Sequence, residues 1–280
     1  MIELVEVPTS AADVVAALRT ESSAVLAGGT LLMPKINNTA TGITRLVSTR
    51  RIANVGVELD ANRVTIGAAA TLASLEATDV LLFLRPALEV IGSPTIRNMA
   101  TVAGNLFAEA PYGDLATCLI ALRADVSVLG PDGARTATAE SVISDGVADG
   151  ELVTSVSFDL PAAGGWFFTK AMRRKLNSAS IVTIAANLGL NDQSVEEASI
   201  ALGACGDRAR RSPAAEIALV GGSLDERTVN AAAQAAIGDA EFVTDEYASA
   251  WYRERVFPVH FRRALLGHAA TPAQSTEPEA

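Results

Sequence analysis

The chain has 280 residues, 49% of them hydrophobic but only 5% aromatic, and a formal net charge of −10. That length can bury about three quarters of the unfolded surface, enough for two or three compact units packed from small and branched side chains, while the acidity excludes a general binder of nucleic-acid backbones. Cys118 and Cys205 are too few for a disulfide framework or for an iron–sulfur cluster held by this chain alone, so both are expected as buried thiols, and no apolar run is long enough to suggest a membrane span.

Met1-Ile2-Glu3-Leu4 enters a strand-like pattern directly, without the charged and apolar leader of a secretory segment, and the expected compartment is the cytoplasm. Ser10 as N-cap, with Asp13 at the third helical position and Val14, Val15 and Leu18 facing inward, predicts a helix over Ala11 to Arg19. A strand at Ala24 to Ala27 breaks at Gly28-Gly29-Thr30, a first candidate ligand loop. Partial alternation predicts a strand over Arg63 to Ala69, followed by a short helix at Thr71 to Ala77 and a longer one at Val80 to Ile91. The stretch Gly92 to Ala100 reads as a polar turn leading into a second candidate loop, Thr101-Val102-Ala103-Gly104-Asn105.

Asp114 stands where it would cap a helix running to about Arg123. Strands at Ala124 to Leu129 and Leu152 to Leu160 flank a turn at Gly130-Pro131-Asp132-Gly133, and Ala162-Ala163-Gly164-Gly165 marks a domain boundary before the aromatic strand Trp166-Phe167-Phe168. Strands follow at Val182 to Leu190 and Glu196 to Gly203, then helices at Ala214 to Val220, Thr228 to Ile237 and Tyr247 to Leu266. The Pro-, Thr- and Glu-rich stretch 269–280 is expected to be a disordered tail.

The glycines of the two candidate loops could bring bare N–H groups against an anion, but on the residues alone each loop reads first as a plain turn. No Gly-x-Gly-x-x-Gly follows the first strand and no P-loop occurs. His260 and His268 are the only histidines, so a hydrolytic triad or a multi-histidine metal site is unsupported, and both read as core or surface residues. Neither a catalytic side chain nor a metal ligand is assigned.

Several segments in order resemble the FAD-binding medium subunit of molybdenum hydroxylases, the family of carbon monoxide and xanthine dehydrogenases. Ala27-Gly28-Gly29-Thr30-Leu31-Leu32 is similar to that family's first FAD loop, and Thr65-Ile66-Gly67-Ala68 with Thr71 to the strand and turn after it. Ile96-Arg97-Asn98 through Asn105, then Pro111, Asp114 and Ala121-Leu122-Arg123-Ala124, resembles its longest motif. Lys170, Arg173-Arg174, Pro213, Glu216, Leu219, Gly221, Tyr252-Arg253 and Arg263-Ala264-Leu265 resemble its C-terminal domain. Two positions depart from the pattern: Leu31 stands where the family often has Asp, and Ala103 where it has Gly.

The resemblance implies an α+β fold with FAD between two subdomains, about 1–55 and 56–163, and a C-terminal domain over 164–268 pairing a small antiparallel sheet with helices. It implies that Val25, Leu26, Ala27, Gly28, Gly29, Thr30, Leu31 and Leu32, together with Thr101, Val102, Ala103, Gly104 and Asn105, wrap the cofactor. Asp114 would hydrogen-bond it, Lys170 would approach it from the second domain, and Ile91 and Val153 would pack near it. As residues alone, Asp114 reads equally as a helix cap, Lys170 as a solvated strand residue, and Ile91 and Val153 as core. The implied activity is electron transfer: FAD takes electrons from the 2Fe-2S clusters of a small partner subunit, fed by a large subunit carrying the molybdenum cofactor, and passes them to an external acceptor. A dimer of heterotrimers is the implied assembly. A scaffold subunit without FAD and an independent flavin oxidase are the competing readings.

Overall fold

The computed structural model describes residues 1–52, 55–174 and 178–267, so His268 and the expected tail at 269–280 lie outside the described residues. The N-terminal unit comprises β1 (Leu4–Glu6), α1 (Ala11–Leu18), β2 (Ser23–Leu26), α2 (Leu32–Asn38) and β3 (Arg45–Ser48). Its three strands form a parallel sheet in the order β1-β3-β2. Helix α1 begins as its sequence dictates, because the Ser10 hydroxyl accepts the N–H of Asp13 at 3.1 Å. Val14, Val15 and Val47 cluster with Leu152 of the following unit, the small core beneath this sheet.

The second unit begins with β4 (Val57–Asp60), β5 (Arg63–Gly67) and α3 (Leu72–Glu76), followed by a 3₁₀ segment, Asp79–Leu84, and α4 (Arg85–Leu88). Short helices α5 (Pro94–Met99) and α6 (Val102–Leu106) precede α7 (Asp114–Ala121). The unit ends with β6 (Asp125–Gly130), β7 (Gly133–Thr138), α8 (Ala139–Asp145) and β8 (Leu152–Asp159). Its antiparallel sheet has the order β4-β5-β8-β6-β7. The third unit carries β9 (Trp166–Met172), β10 (Ser180–Asn191), β11 (Ser194–Gly203) and the short β12 (Arg210–Arg211). These form an antiparallel sheet in the order β12-β11-β10-β9, packed by α9 (Pro213–Leu219), α10 (Glu226–Ile237) and α11 (Ala250–Leu266).

The main core fills the second unit with residues such as Ile66, Leu75, Leu88, Leu115 and Phe158, and continues into the third unit through Phe168, Ala185 and Ala201. The third unit encloses a core of its own between its sheet and helices, with residues such as Ile184, Leu202, Phe257 and Phe261, and the first is attached through its own small cluster.

Four sequence expectations are corrected. The helix expected over 80–91 is a 3₁₀ segment followed by one short α-helical stretch, since Pro86 occupies the first turn of α4 and can supply no N–H to a preceding carbonyl. The polar turn expected at 92–100 is largely helix α5, with Ser93 as N-cap and Pro94 at its start. The second candidate loop is helix α6, capped by the Thr101 hydroxyl. Asp114 does not cap α7: the N-cap position belongs to Gly113, at φ +94, and makes no side-chain cap bond. The strand pair around Gly130 is also richer than expected, because the turn at 130–133 closes a hairpin onto β7, and α8 intervenes before β8.

Candidate FAD site

The N-terminal sheet delivers β2 and β3 side by side, Leu26 opposite Ser48, so that the chain leaves both strands at their carboxyl ends. In open parallel sheets this edge is where ligand crevices form. The first loop starts there. Gly29 has φ +70, a backbone that glycine adopts without strain. At Gly28 the missing side chain serves packing within the protein: a Cβ would lie 1.8 Å from the Met99 carbonyl oxygen. The first loop is thereby pressed onto the end of α5 and brought beside the second segment. Leu31 precedes α2 as an exposed residue that contributes no side-chain cap, and Leu32 opens that helix.

In the second segment four main-chain donors are already committed, the Asn105 N–H among them to the Thr101 carbonyl at 3.0 Å. The N–H groups of Val102 and Ala103 donate to the carbonyls of Ala70 and Ala68 at 2.9 and 3.1 Å, and that of Gly104 donates to Thr101 Oγ1 at 3.1 Å. The segment is therefore not the cradle of bare N–H groups that its glycine suggested. What it offers is Asn105, whose side chain is buried while its Oδ1 has no hydrogen-bond partner among the described residues. A buried amide oxygen without a donor is costly, and a ligand hydroxyl or N–H would satisfy it. Ala103 is absorbed without strain, since it lies in helix α6 and is absent from the residues with positive φ.

Between the first and second units runs a narrow, mainly apolar crevice of about 50 Å³, lined by Val25, Ala27, Thr49, Ala103, Leu152 and Val153 among others. It brings both candidate segments and Val153 to one place. Val102, in contrast, is fully buried toward the main core, and Ile91 packs partly buried against that same core.

Asp114 and Lys170 meet each other away from this crevice. Lys170 Nζ lies 2.7 Å from Asp114 Oδ2, with the two side chains 3% and 4% exposed. Asp114 Oδ1 accepts from Ser180 Oγ and Thr183 Oγ1, both at 2.9 Å, and Lys170 also donates to the Val90 carbonyl at 3.0 Å. The carboxylate thus binds the second unit to the third. The guanidinium of Arg97, a residue of the long motif, holds the chain around Ile91 through the carbonyls of Glu89, Ile91 and Gly92. Its signal was its place in the motif, since no spacing rule identifies a cation that bonds main-chain carbonyls.

A second hollow, of about 410 Å³, opens at the junction of the second and third units between Phe83, Pro86, Trp166 and Phe168. Cys118 and Cys205 are both free and buried. Burial raises both thiols, with Asp114 adding to the effect at Cys118, and Cys205 reaches about 12. Among the described residues no group of three or more His, Cys, Asp or Glu could hold a metal ion, and no helix is long and apolar enough to cross a membrane.

Residues 2–163 match the family described as the FAD binding domain in molybdopterin dehydrogenase, and residues 167–267 match the CO dehydrogenase flavoprotein C-terminal domain. The chain belongs to this flavoprotein family. It is an FAD-binding medium subunit of the molybdenum hydroxylases and an oxidoreductase component, with FAD as its own cofactor. It is 29% identical over 269 residues to the carbon monoxide dehydrogenase medium chain of Afipia carboxidovorans, covering 92% of this chain and 93% of that one. Over 181 residues it is 28% identical to the nicotine 6-hydroxylase medium subunit of Paenarthrobacter nicotinovorans, 63% of each chain. Among solved structures, carbon monoxide dehydrogenase from Hydrogenophaga pseudoflava superposes with a TM-score of 0.88 at 26% identity, covering 95% of this chain and 96% of that one. Quinoline 2-oxidoreductase from Pseudomonas putida 86 gives 0.86 at 25% identity, with 96% and 97% covered. The two-part FAD-binding fold and its C-terminal sheet-and-helix domain agree with the sequence expectation.

Proposed function

We propose that this chain carries electrons from a partner subunit's 2Fe-2S clusters to an external acceptor, as one member of a cytoplasmic complex with a large molybdenum-cofactor subunit and a small iron–sulfur subunit, arranged as a dimer of heterotrimers. Residues 1–163 act as its FAD domain and 164–268 as its C-terminal domain. FAD, when bound, supplies the redox chemistry, and the protein binds and orients it. The observation that supports this reading best is the crevice between the first two units, where Val25, Ala27, Ala103 and Val153 converge.

Within it, Val25, Ala27 and Thr49 stand on one wall and Ala68, Ala103, Leu152 and Val153 on the other, and residues 25–32 and 101–105 hold the cofactor around it. The apolar walls exclude water from the cofactor, and Asn105 Oδ1, which has no hydrogen-bond partner among the described residues, would accept one from it. The close approach of Gly28 to Met99 holds the two walls in register. No acid, base or nucleophile of this chain is needed, because electron transfer makes no bond to protein. The acceptor takes its electrons at this subunit, while the substrate meets the molybdenum subunit.

The test is FAD titration of the purified chain, followed by flavin absorbance and fluorescence, for the native protein and Asn105→Leu. Binding by the native chain and a clear loss of affinity in a variant with unchanged far-UV dichroism are expected. Binding of equal strength by both would remove Asn105 from the site. A native chain that takes up no FAD, alone or with its partner subunits, would favour the scaffold reading.

A further inference from the structure

The hollow of about 410 Å³ at the junction of the second and third units has walls that the fold has already set. Phe83 stands edge-on to Phe158 and Trp166, with ring centroids 6.3 and 5.5 Å apart and both interplanar angles 83°. Trp166 and Phe168 are held in β9 by their pairing with Asn187 and Ala185 of β10. The linker that closes the hollow is pinned as well. Its Gly165 N–H donates to the Ala162 carbonyl at 2.9 Å, and the Gly165 carbonyl accepts the N–H of Leu188 at 2.8 Å. A Cβ at Gly165 would lie 2.2 Å from the Leu188 carbonyl oxygen, so glycine is what lets the linker lie this close to β10. A ligand entering here meets ordered walls, which lowers the cost of binding.

The chemistry of the lining is as definite as its shape. Besides Phe83, Trp166 and Phe168 it consists of prolines, aliphatic residues and glycine, with no charged side chain. Lys170, two positions beyond Phe168 on the same strand face, is turned to Asp114 and the Val90 carbonyl. A charged ligand would therefore lose its hydration in the hollow without gaining a partner. The single polar side-chain atom among the lining residues is Trp166 Nε1, which is buried and has no hydrogen-bond partner among the described residues. An indole N–H can only donate, and a buried one ordinarily finds an acceptor. The size of the hollow and its place between two units are those of small-molecule sites. We infer that it is a second ligand site, for an uncharged flat aromatic molecule of about two fused rings that carries a hydrogen-bond acceptor. The rings lie among Phe83, Trp166 and Phe168, and the acceptor takes the indole N–H. The site shares no lining residue with the crevice assigned to FAD, and its ligand touches both units.

The test uses the full chain and two neutral probes: coumarin, a bicyclic lactone with a carbonyl acceptor and no donor, and naphthalene, which matches its ring size and lacks the acceptor. Equilibrium dialysis measures both on the native chain and on Trp166→Phe, with far-UV dichroism to verify folding. Coumarin should bind saturably, and about tenfold more weakly to Trp166→Phe, equivalent to about 1.4 kcal/mol. Naphthalene should bind weakly and equally to both chains, and added FAD should displace neither probe. A second measurement does not depend on that variant. In the Trp251→Phe chain, altered at an exposed position, Trp166 is the sole tryptophan, and its fluorescence should change with the same coumarin midpoint. Binding that does not saturate would mark an adventitious additive only and overturn the inference. Coumarin affinity unchanged in folded Trp166→Phe, displacement by FAD, or Trp166 emission indifferent to saturating coumarin would each overturn it too.

Discussion

At the scale of single residues, the two glycines that first drew notice in the candidate loops carry different burdens. An added methyl at Gly28 would meet the Met99 carbonyl at 1.8 Å, whereas at Gly104 its nearest neighbour is Thr101 Oγ1 at 3.0 Å. Gly28→Ala should therefore force main-chain movement and cost about 1–3 kcal/mol, as overpacking does. Gly104→Ala gains about 0.5–1 kcal/mol from helix preference, which offsets a mild contact, so its urea midpoint should stay near the native one. Equal losses from both substitutions would contradict this geometry. The Asp114–Lys170 pair gives a second contrast. Asp114→Ala leaves the Lys170 ammonium buried with only the Val90 carbonyl as a described acceptor, a situation that costs about 3–5 kcal/mol. The double variant Lys170→Met/Asp114→Leu removes both charges and should lose much less than the two single substitutions summed. A double-mutant cycle in urea measures that coupling.

At the scale of elements, the legible parts of the sequence were those whose cause is local. Helix α1 starts at its Ser10 cap, and β10 and β11 extend through runs whose apolar residues the main fold buries. Ser93-Pro94 held a valid start signal for α5, but the glycine before it and the helix's single apolar stripe of short length favoured a turn reading. Strand β7 is mostly exposed and polar, with no alternation to betray it; its partner β6 creates it. The site was legible in two different ways. Glycines pointed to 27–30 and 101–105, but the roles of those residues came from family resemblance. Asp114 with Lys170, 56 positions apart, is a contact that only the assembled fold makes. Helix α6 offers a direct check of one local cause. Thr101→Ala removes the acceptor for the Gly104 N–H, and the expected loss is about 1 kcal/mol, read as a lowered urea midpoint. Thr101→Ser should recover most of it.

At the scale of the whole molecule, the titrating groups lead to one stability profile. Hydrogen bonds from the Arg135 guanidinium hold Glu151 below its usual range despite some desolvation, and the N–H and hydroxyl of Thr228 do the same for Asp225. Burial pushes Asp245 upward, but the N–H groups of Tyr247 and Ala248 and the Arg253 guanidinium outweigh it, so its carboxyl too is held low. A depressed carboxyl contributes stability above its unfolded value and loses it as pH falls through the folded one. Burial, helped by Arg263, lowers His260 below 6.5, so its contribution is present at neutral pH and also declines on acidification. On the alkaline side the sign reverses. The hydrogen bond to Tyr247, with burial second, pushes Tyr112 up to about 12, and burial raises Cys205 to about 12. Their unfolded counterparts lose protons near 10 and 9, so these groups stabilise the fold fully below those values and lose that contribution as pH rises from there to about 12. Urea midpoints measured across the pH range should therefore rise from acid to neutrality, level off between about pH 7 and 9, and fall beyond. His260→Asn should flatten the slope between about pH 5 and 7 while leaving the alkaline fall unchanged. A native maximum below about pH 6 would mean that a group gaining a proton on folding outweighs His260 and the paired carboxylates.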